Sequence, residues 1–293
     1  FNVESISELL RLNHVAAEKK VQAPVSLRIN PDVDAVTHPY ISTGLKENKF
    51  GIAYEDALES YEQARQLDNI NIVGIDCHIG SQITTISPYI DALEKLMSLV
   101  DELKLKDIHL QHVDVGGGLG IQYQQESPPT PEQLIEAICQ TITDDSYELL
   151  LEPGRSIVGN AAVLLTRVEY IKGNGGRKFA IVDAAMNDML RPALYDAWLS
   201  ILPVAESKSV SSDEYDIVGP VCESADFIGL KRNMVLKEDD LLAVLSSGAY
   251  GFSMSSIYNS RPRAAEIMID GDTMTEIRKR ETIDALMSGE RTL

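Results

Sequence analysis

A chain of 293 residues with 44% hydrophobic content can build two domains, or one barrel with an appendage. Its formal net charge of −19 argues against nucleic acid or an anionic membrane surface as a partner, and no apolar run approaches the roughly 18 residues of a membrane span. Three scattered cysteines (Cys77, Cys139, Cys222) lack CxxC spacing, which argues against a disulfide framework or a zinc site and for a reducing, cytoplasmic compartment. The sequence opens Phe1-Asn2-Val3-Glu4-Ser5, without an initiator Met or anything resembling a signal peptide.

Hydrophobic periodicity predicts a short extended start at residues 1–3, then a helix over about 5–18 with Leu9, Leu10, Leu12, Val15 and Ala16 on one side and Ser5 or Ser7 as N-cap. A strand over Val25–Ile29 leads into a polar loop of about 31–50, long enough to suspect a site. Helices follow at about 54–67, 88–104 and 131–142, separated by strands Ile70–Ile79, His109–Val115 and Tyr147–Glu152. Apolar strands alternating with helices predict a parallel sheet covered by helices. After about residue 156 the rhythm turns to strands: Ala161–Lys172, Lys178–Asp183, Tyr215–Val221, Leu241–Leu245 and Ala264–Ile269, with a hairpin turn at Gly173-Asn174-Gly175-Gly176. The expectation is an α/β first domain, residues 1–157, and a β-rich second domain, residues 158–293. Cys77 and Cys139 are expected to be buried small hydrophobes.

Each strand of the first domain ends in residues able to do chemistry, where parallel α/β folds place their sites. Gly116-Gly117-Gly118-Leu119-Gly120 follows a strand directly, so its N–H groups can approach a phosphate; a purely structural turn explains it as well. Glu152-Pro153-Gly154-Arg155 offers a carboxylate to keep a pyridine nitrogen protonated and an arginine for phosphate or carboxylate, or else an ion pair closing the sheet end. His78 can stack on a flat ring, carry a proton or serve structure only, with Gly80 and Ser81 beside it for a phosphate. In the second half, Cys222 follows the turn Gly219-Pro220 and precedes Glu223; its thiol is a candidate acid or base if an electropositive site outweighs the neighbouring glutamate. Arg191 and Tyr195 are suited to a remote carboxylate, and Tyr250, between Gly248 and Gly251, to a phosphate. No HExxH, EF-hand or GxSxG motif occurs, so metal-hydrolase and serine-hydrolase chemistry lose their usual support and no metal is expected.

Seven segments, in order and across nearly the whole chain, resemble the fold-type III pyridoxal-phosphate (PLP) decarboxylases. They are Gly44–Gly51, His78–Gln82, Asp114–Gly120, Glu152–Arg155, Arg191–Tyr195, Gly219–Asp226 and Gly248–Gly251. The resemblance implies a (β/α)8 barrel, of which residues 1–157 supply strands 4–8, followed by a β-rich domain. It also implies PLP as cofactor, with His78 stacked on the ring and Glu152 paired with its nitrogen. Gly116, Gly117, Gly118, Ser81, Gly154, Arg155 and Tyr250 would hold phosphate or substrate. Arg155, Arg191, Tyr195, Tyr250 and Glu223 would read the distal amino-acid end, and Cys222 would be the catalytic proton donor. In such enzymes the Cys222–Glu223 turn serves the partner's site, which implies a homodimer with shared active sites.

The Cys-Glu-Ser version of the turn favours meso-2,6-diaminopimelate as substrate, giving L-lysine and CO2 as the last step of lysine biosynthesis. An ornithine- or carboxynorspermidine-type decarboxylase and an inactive homologue that binds a partner are the alternatives. The family's Schiff-base lysine lies in a Tyr-Ala-x-Lys-Ala-Asn-like segment that no lysine here matches. The expectation is therefore a chain lacking about 100–130 leading residues, three βα units and a strand, and inactive by itself.

Overall fold

Strands Val25–Ile29 and Ile70–Ile75 carry β-branched and leucine side chains with scarcely a charge, a pattern that only a sheet covered on both faces can hide. In the computed structural model, which describes residues 1–35, 44, 48–205 and 212–291, they lie in one parallel sheet. The chain divides into two compact units, Phe1–Ser156 and Ile157–Leu293.

The first unit runs β1 (Asn2–Val3), α1 (Ile6–Lys19), β2 (Ala23–Asn30), β3 (Ile52–Ala53), α2 (Tyr54–Arg65), β4 (Ile70–Asp76), α3 (Ser87–Leu105), β5 (His112–Asp114), α4 (Pro131–Thr141) and β6 (Glu148–Leu150). Its strands pair in parallel in the order β1-β2-β4-β5-β6, with β3 alongside β2. Neighbours in sequence are thus neighbours in space, the arrangement from which a β/α barrel is built. Val25, Leu27 and Ile29 of β2 are fully buried and share one apolar core with Leu93, Leu96 and Leu103 of α3.

The helix ends are fixed locally. Ser5 accepts a hydrogen bond from the Glu8 N–H and so caps α1, which closes on Lys20 in the left-handed conformation. Thr130 and Gln133 form a reciprocal capping box at α4. Of the predicted α1 stripe, Leu9 and Ala16 are buried, whereas Leu10 is 52% exposed because it lies off the 9-12-16 face.

The second unit begins within α5 (Arg155–Val158) and continues through β7 (Leu164–Asn174), β8 (Arg177–Val182), α6 (Arg191–Tyr195), β9 (Ile201–Pro203), β10 (Asp213–Val218), β11 (Phe227–Met234) and β12 (Leu241–Val244). Its sheet order is β11-β10-β8-β7-β12-β9, antiparallel except between β10 and β8. A separate hairpin, β13 (Glu266–Asp270) with β14 (Thr273–Arg278), precedes α7 (Ile283–Leu286). The β7–β8 turn closes on Gly175 and Gly176, both at positive φ, as a two-residue hairpin with Asn174 opposite Arg177 requires.

Four strands escape the sequence reading, among them the two-residue β3. β11 carries Lys231, Arg232 and Asn233 in its interior, β14 is exposed throughout, and β9 is only three residues long. The predicted strand to Ile79 stops at Asp76, because Cys77–Gly80 leave the ladder to form the loop above it. Cys139 is exposed, against expectation: α4 turns Leu134 and Ile138 inward and the next residue outward. Most of the loop expected at about 31–50, with Leu45, Lys46 and Glu47 of the first family segment, lies outside the described residues.

β2, β4 and β5 are held together by His112, whose Nε2 lies 2.7 Å from Ser26 Oγ and crosses over Gly74. A Cβ on Gly74 would stand 2.1 Å from that nitrogen. Gly74→Ala is therefore expected to destabilise the first unit by about 1–3 kcal/mol through overpacking. Denaturant midpoints at unchanged m-value would measure it, and an unaltered midpoint would contradict this packing.

Candidate active site

Adjacent parallel strands deliver their C-terminal ends to one place, and here β4, β5 and β6 deliver Asp76-Cys77-His78, Asp114 with the glycine turn, and Glu152 to Arg155. The backbones approach so closely that only glycine fits. A Cβ on Gly116, which has φ +73°, would lie 2.2 Å from the Cys77 carbonyl oxygen, and one on Gly117 would lie 2.1 Å from that of Glu152. Glu152 N–H donates to the Gly116 carbonyl at 2.9 Å, and Gly116 N–H donates to Asp114 Oδ1 at 2.9 Å. The predicted turn at Gly116–Gly118 thus has a structural duty, packing three strand ends, whatever it binds.

Gly117 N–H donates to His78 Nδ1 at 3.1 Å, which makes Nδ1 the unprotonated nitrogen of a neutral ring. Burial, then the Arg28 guanidinium, lower the pKa of His78, against the opposing pull of Asp114 and Glu4. The 3.9 Å approach of Nδ1 to Glu152 Oε2 is accordingly no ion pair. A flat, neutral imidazole suits stacking better than proton carriage.

Carboxylate oxygens of Asp76, Asp114 and Glu152 lie within 4.8 Å of one another. Asp76 is 1% exposed, and its Oδ1 makes no hydrogen bond. Burial, with Asp114 and Glu152 beside it, pushes its pKa up to about 8. Glu152, about half exposed, is raised by partial burial and by Asp114. Asn2 of β1 reaches across, its Nδ2 3.4 Å from both Asp114 Oδ2 and Glu152 Oε1. Arg28, whose charge acts on Asp76 and Glu152, is paired with Glu4 at 2.6 Å and lies over the Phe50 ring. The cluster therefore carries surplus negative charge.

Arg155, 6% exposed, donates to Tyr123 Oη at 2.6 Å and to Ser81 Oγ at 3.1 Å. Glu152 meets Asn2, and Arg155 meets Tyr123 and Ser81. Gly154 lies between Glu152 and Arg155 on the same strand-end turn. Arg28 belongs to the chemically loaded strand end Arg28-Ile29-Asn30 read from sequence, whereas Asp76, Asn2 and Tyr123 were not singled out. Asp76 alone carried a signal, a charged residue at the end of an otherwise apolar strand.

The second unit holds the remaining predicted residues on three separate segments. Cys222 and Glu223 are exposed on the β10–β11 connection, and the Tyr258 hydroxyl donates to Glu223 Oε1. Arg191, 7% exposed, and Tyr195 lie one turn apart on α6. Tyr250 has φ +58° on the turn after β12. Tyr258 is a further residue that sequence reasoning missed, having no motif around it.

The donor set of the first unit fits pyridoxal phosphate. Surplus carboxylate charge suits a protonated ring nitrogen, with Glu152 the exposed member. Neutral His78 offers a flat face and Ser81 a hydroxyl, while the Gly116 and Gly117 N–H groups are already given to Asp114 and His78. Because the folded state keeps the Asp76 proton after the unfolded chain has lost it, stability falls as pH rises from about 4 to about 8 and levels off above. Asp76→Asn removes that slope, so its Tm relative to the native chain should rise across the same window. A Tm difference independent of pH would contradict a buried neutral acid.

Comparison with known proteins agrees with this arrangement. Residues 1–159 match the family described as pyridoxal-dependent decarboxylase, pyridoxal binding domain. The chain is 56% identical over 293 residues to diaminopimelate decarboxylase of Pseudomonas aeruginosa and 54% identical over 294 residues to that of Vibrio cholerae. In each case all of this chain aligns with 70% of the relative's length. The crystal structure of diaminopimelate decarboxylase from Helicobacter pylori complexed with L-lysine superposes with a TM-score of 0.93 at 41% identity, covering 98% of this chain and 72% of that one. The expected architecture, barrel strands followed by a β-rich domain, is the one observed, and the chain belongs to the pyridoxal-dependent decarboxylases.

Proposed function

We infer that this protein is a carboxy-lyase that uses pyridoxal 5′-phosphate to decarboxylate meso-2,6-diaminopimelate, yielding L-lysine and CO2, the closing step of lysine biosynthesis. The observation that carries the substrate is identity above 50% along the whole chain to relatives named for that reaction. The strand-end cluster carries the chemistry. The cofactor, when bound, supplies a protonated ring that accepts the electron pair left by departing CO2. Glu152 would keep the ring nitrogen protonated, since an adjacent carboxylate raises the pKa of a base. His78 would cover one face of the ring, Ser81, Gly154, Arg155 and Tyr250 would bind phosphate or orient substrate, and the Gly116–Gly118 turn would hold His78 and Glu152 in place beside them.

Specificity and protonation would come from the second unit. Arg191, Tyr195 and Tyr250, together with Arg155 of the first unit, would recognise the substrate carboxylate that is retained, with bidentate guanidinium geometry as the source of selectivity. Glu223 would accept from the distal ammonium, and Cys222 Sγ would deliver the proton that replaces CO2. The exposure of Cys222 and Glu223 supports a homodimer in which one subunit's turn serves the other's site. No helix among the described residues is long and apolar enough to cross a membrane. A cytoplasmic location is part of the same reading, supported by three free cysteines.

Intact protein should release CO2 from meso-diaminopimelate and neither ornithine nor carboxynorspermidine in a substrate panel; release from ornithine alone would overturn the assignment. Cys222→Ser is expected to lower kcat by about 100-fold or more, as loss of a positioned general acid does, while the cofactor's bound absorbance stays unchanged. Glu223→Gln should instead raise KM for diaminopimelate. Equal kinetics for the native protein and both variants would remove the turn from the mechanism.

A further inference from the structure

The β10–β11 connection is an eight-residue loop, Gly219–Asp226, whose tip is exposed at Cys222, Glu223 and Ser224. Such a tip would not hold a fixed direction by apolar packing alone. Asp226, 3% exposed, closes it. Its backbone carbonyl accepts from Gly219 N–H at 3.1 Å, and its own N–H donates to the Glu223 carbonyl at 3.1 Å. The side chain adds two short bonds in different directions. Oδ2 accepts from Val221 N–H at 2.6 Å, inside the loop, and Oδ1 accepts from Met186 N–H at 2.7 Å, outside it.

That second bond ties the loop to the turn that precedes α6. Met186 sits between Ala185 and Asn187, and Asn187 is itself anchored: Arg261 Nε donates to its Oδ1 at 2.9 Å, and Ser256 N–H donates to its carbonyl at 2.9 Å. Ala185 N–H and Arg261 converge on Asp188, at 2.9 and 3.7 Å. From there the chain runs directly into Arg191. From the other side, Tyr258, three residues before Arg261, holds the Glu223 carboxylate. Gly219 belongs to the same device, since a Cβ there would stand 2.5 Å from Asp226 Oδ2 and 2.7 Å from Ala185 Cα. The carboxylate therefore fits against glycine and has no room to lengthen.

We propose that Asp226 is a positioning residue for the reaction: its carboxylate clamps the Cys222–Glu223 loop to the Ala185–Asp188 turn, so that the thiol, the glutamate and the start of the Arg191 helix keep one mutual register. The proposal rests on the reading of Cys222 and Glu223 given above. It goes further in placing their geometry under the control of a residue that touches neither substrate nor cofactor. Because one clamp governs both side chains, disturbing it moves kcat and KM together, whereas Cys222 and Glu223 substitutions each move one.

The test uses intact, cofactor-loaded protein and Asp226→Asn, in which an amide N–H2 replaces one of the two acceptors and opposes a backbone N–H. The expected result is a kcat loss on the order of 100-fold with a raised KM, the cost of misplacing reacting groups by about an ångström. In a Cys139→Ser background, iodoacetamide should also alkylate Cys222 faster than when Asp226 is present. If Asp226→Asn fails to fold, Gly219→Ala displaces the same carboxylate without deleting it and should give the same pair of changes. A variant with lowered Tm but native kcat, KM and alkylation rate would reduce Asp226 to a structural residue and overturn the proposal. Full activity of Cys222→Ala would instead sink the role given to the thiol, and the alkylation rate would still decide the clamp.

Discussion

Three carboxyl groups held within 4.8 Å at neighbouring strand ends are the constraint around which the first unit is organised. Like charges so close in a half-buried place cannot all persist, so the most buried of them, Asp76, retains a proton into the neutral range. The arrangement is costly for a protein with nothing to bind. It becomes reasonable when a cation is to be received, and a protonated pyridine ring is such a cation. Neutral His78 follows from the same logic, since its ring is desolvated beside a guanidinium and fixed by a backbone N–H.

The fold makes that proximity possible through backbone contact. Parallel strands β4, β5 and β6 end in register, and the Gly116–Gly118 turn lets their carbonyls and N–H groups meet at distances a side chain would forbid. The glycines are therefore required twice on this account, for packing the strand ends and for giving the Gly116 and Gly117 N–H groups to Asp114 and His78. In the second unit the same economy appears in Asp226, one carboxylate satisfying two backbone donors on separate segments. Rigid elements carry each functional side chain only as far as the loop end, and buried polar bonds do the final orienting.

Much of the first unit was legible because its strands are largely apolar and its first helix carries a recognisable cap at Ser5. His78, Glu152 and Arg155 could be picked out because they follow those strands directly. Asp76 could not be weighed from sequence, since its importance lies in distances to Asp114 and Glu152, residues far along the chain. Asn2 and Tyr123 were hidden for the same reason. β11 was missed because Arg232, buried against Trp198 at 4.4 Å, satisfies a strand interior that alternation would call polar. Cys139 was misplaced because composition says nothing of which way a helix faces.

The central claim is that the carboxylate cluster, through Glu152, keeps the cofactor's ring nitrogen protonated. The direct measurement is the 15N NMR shift of 15N-labelled pyridoxal phosphate bound to intact protein, compared with the Glu152→Gln variant. The account predicts a pyridinium shift in the native protein at neutral pH and movement towards the neutral-pyridine position in the variant. A neutral-pyridine shift in the native protein would contradict it.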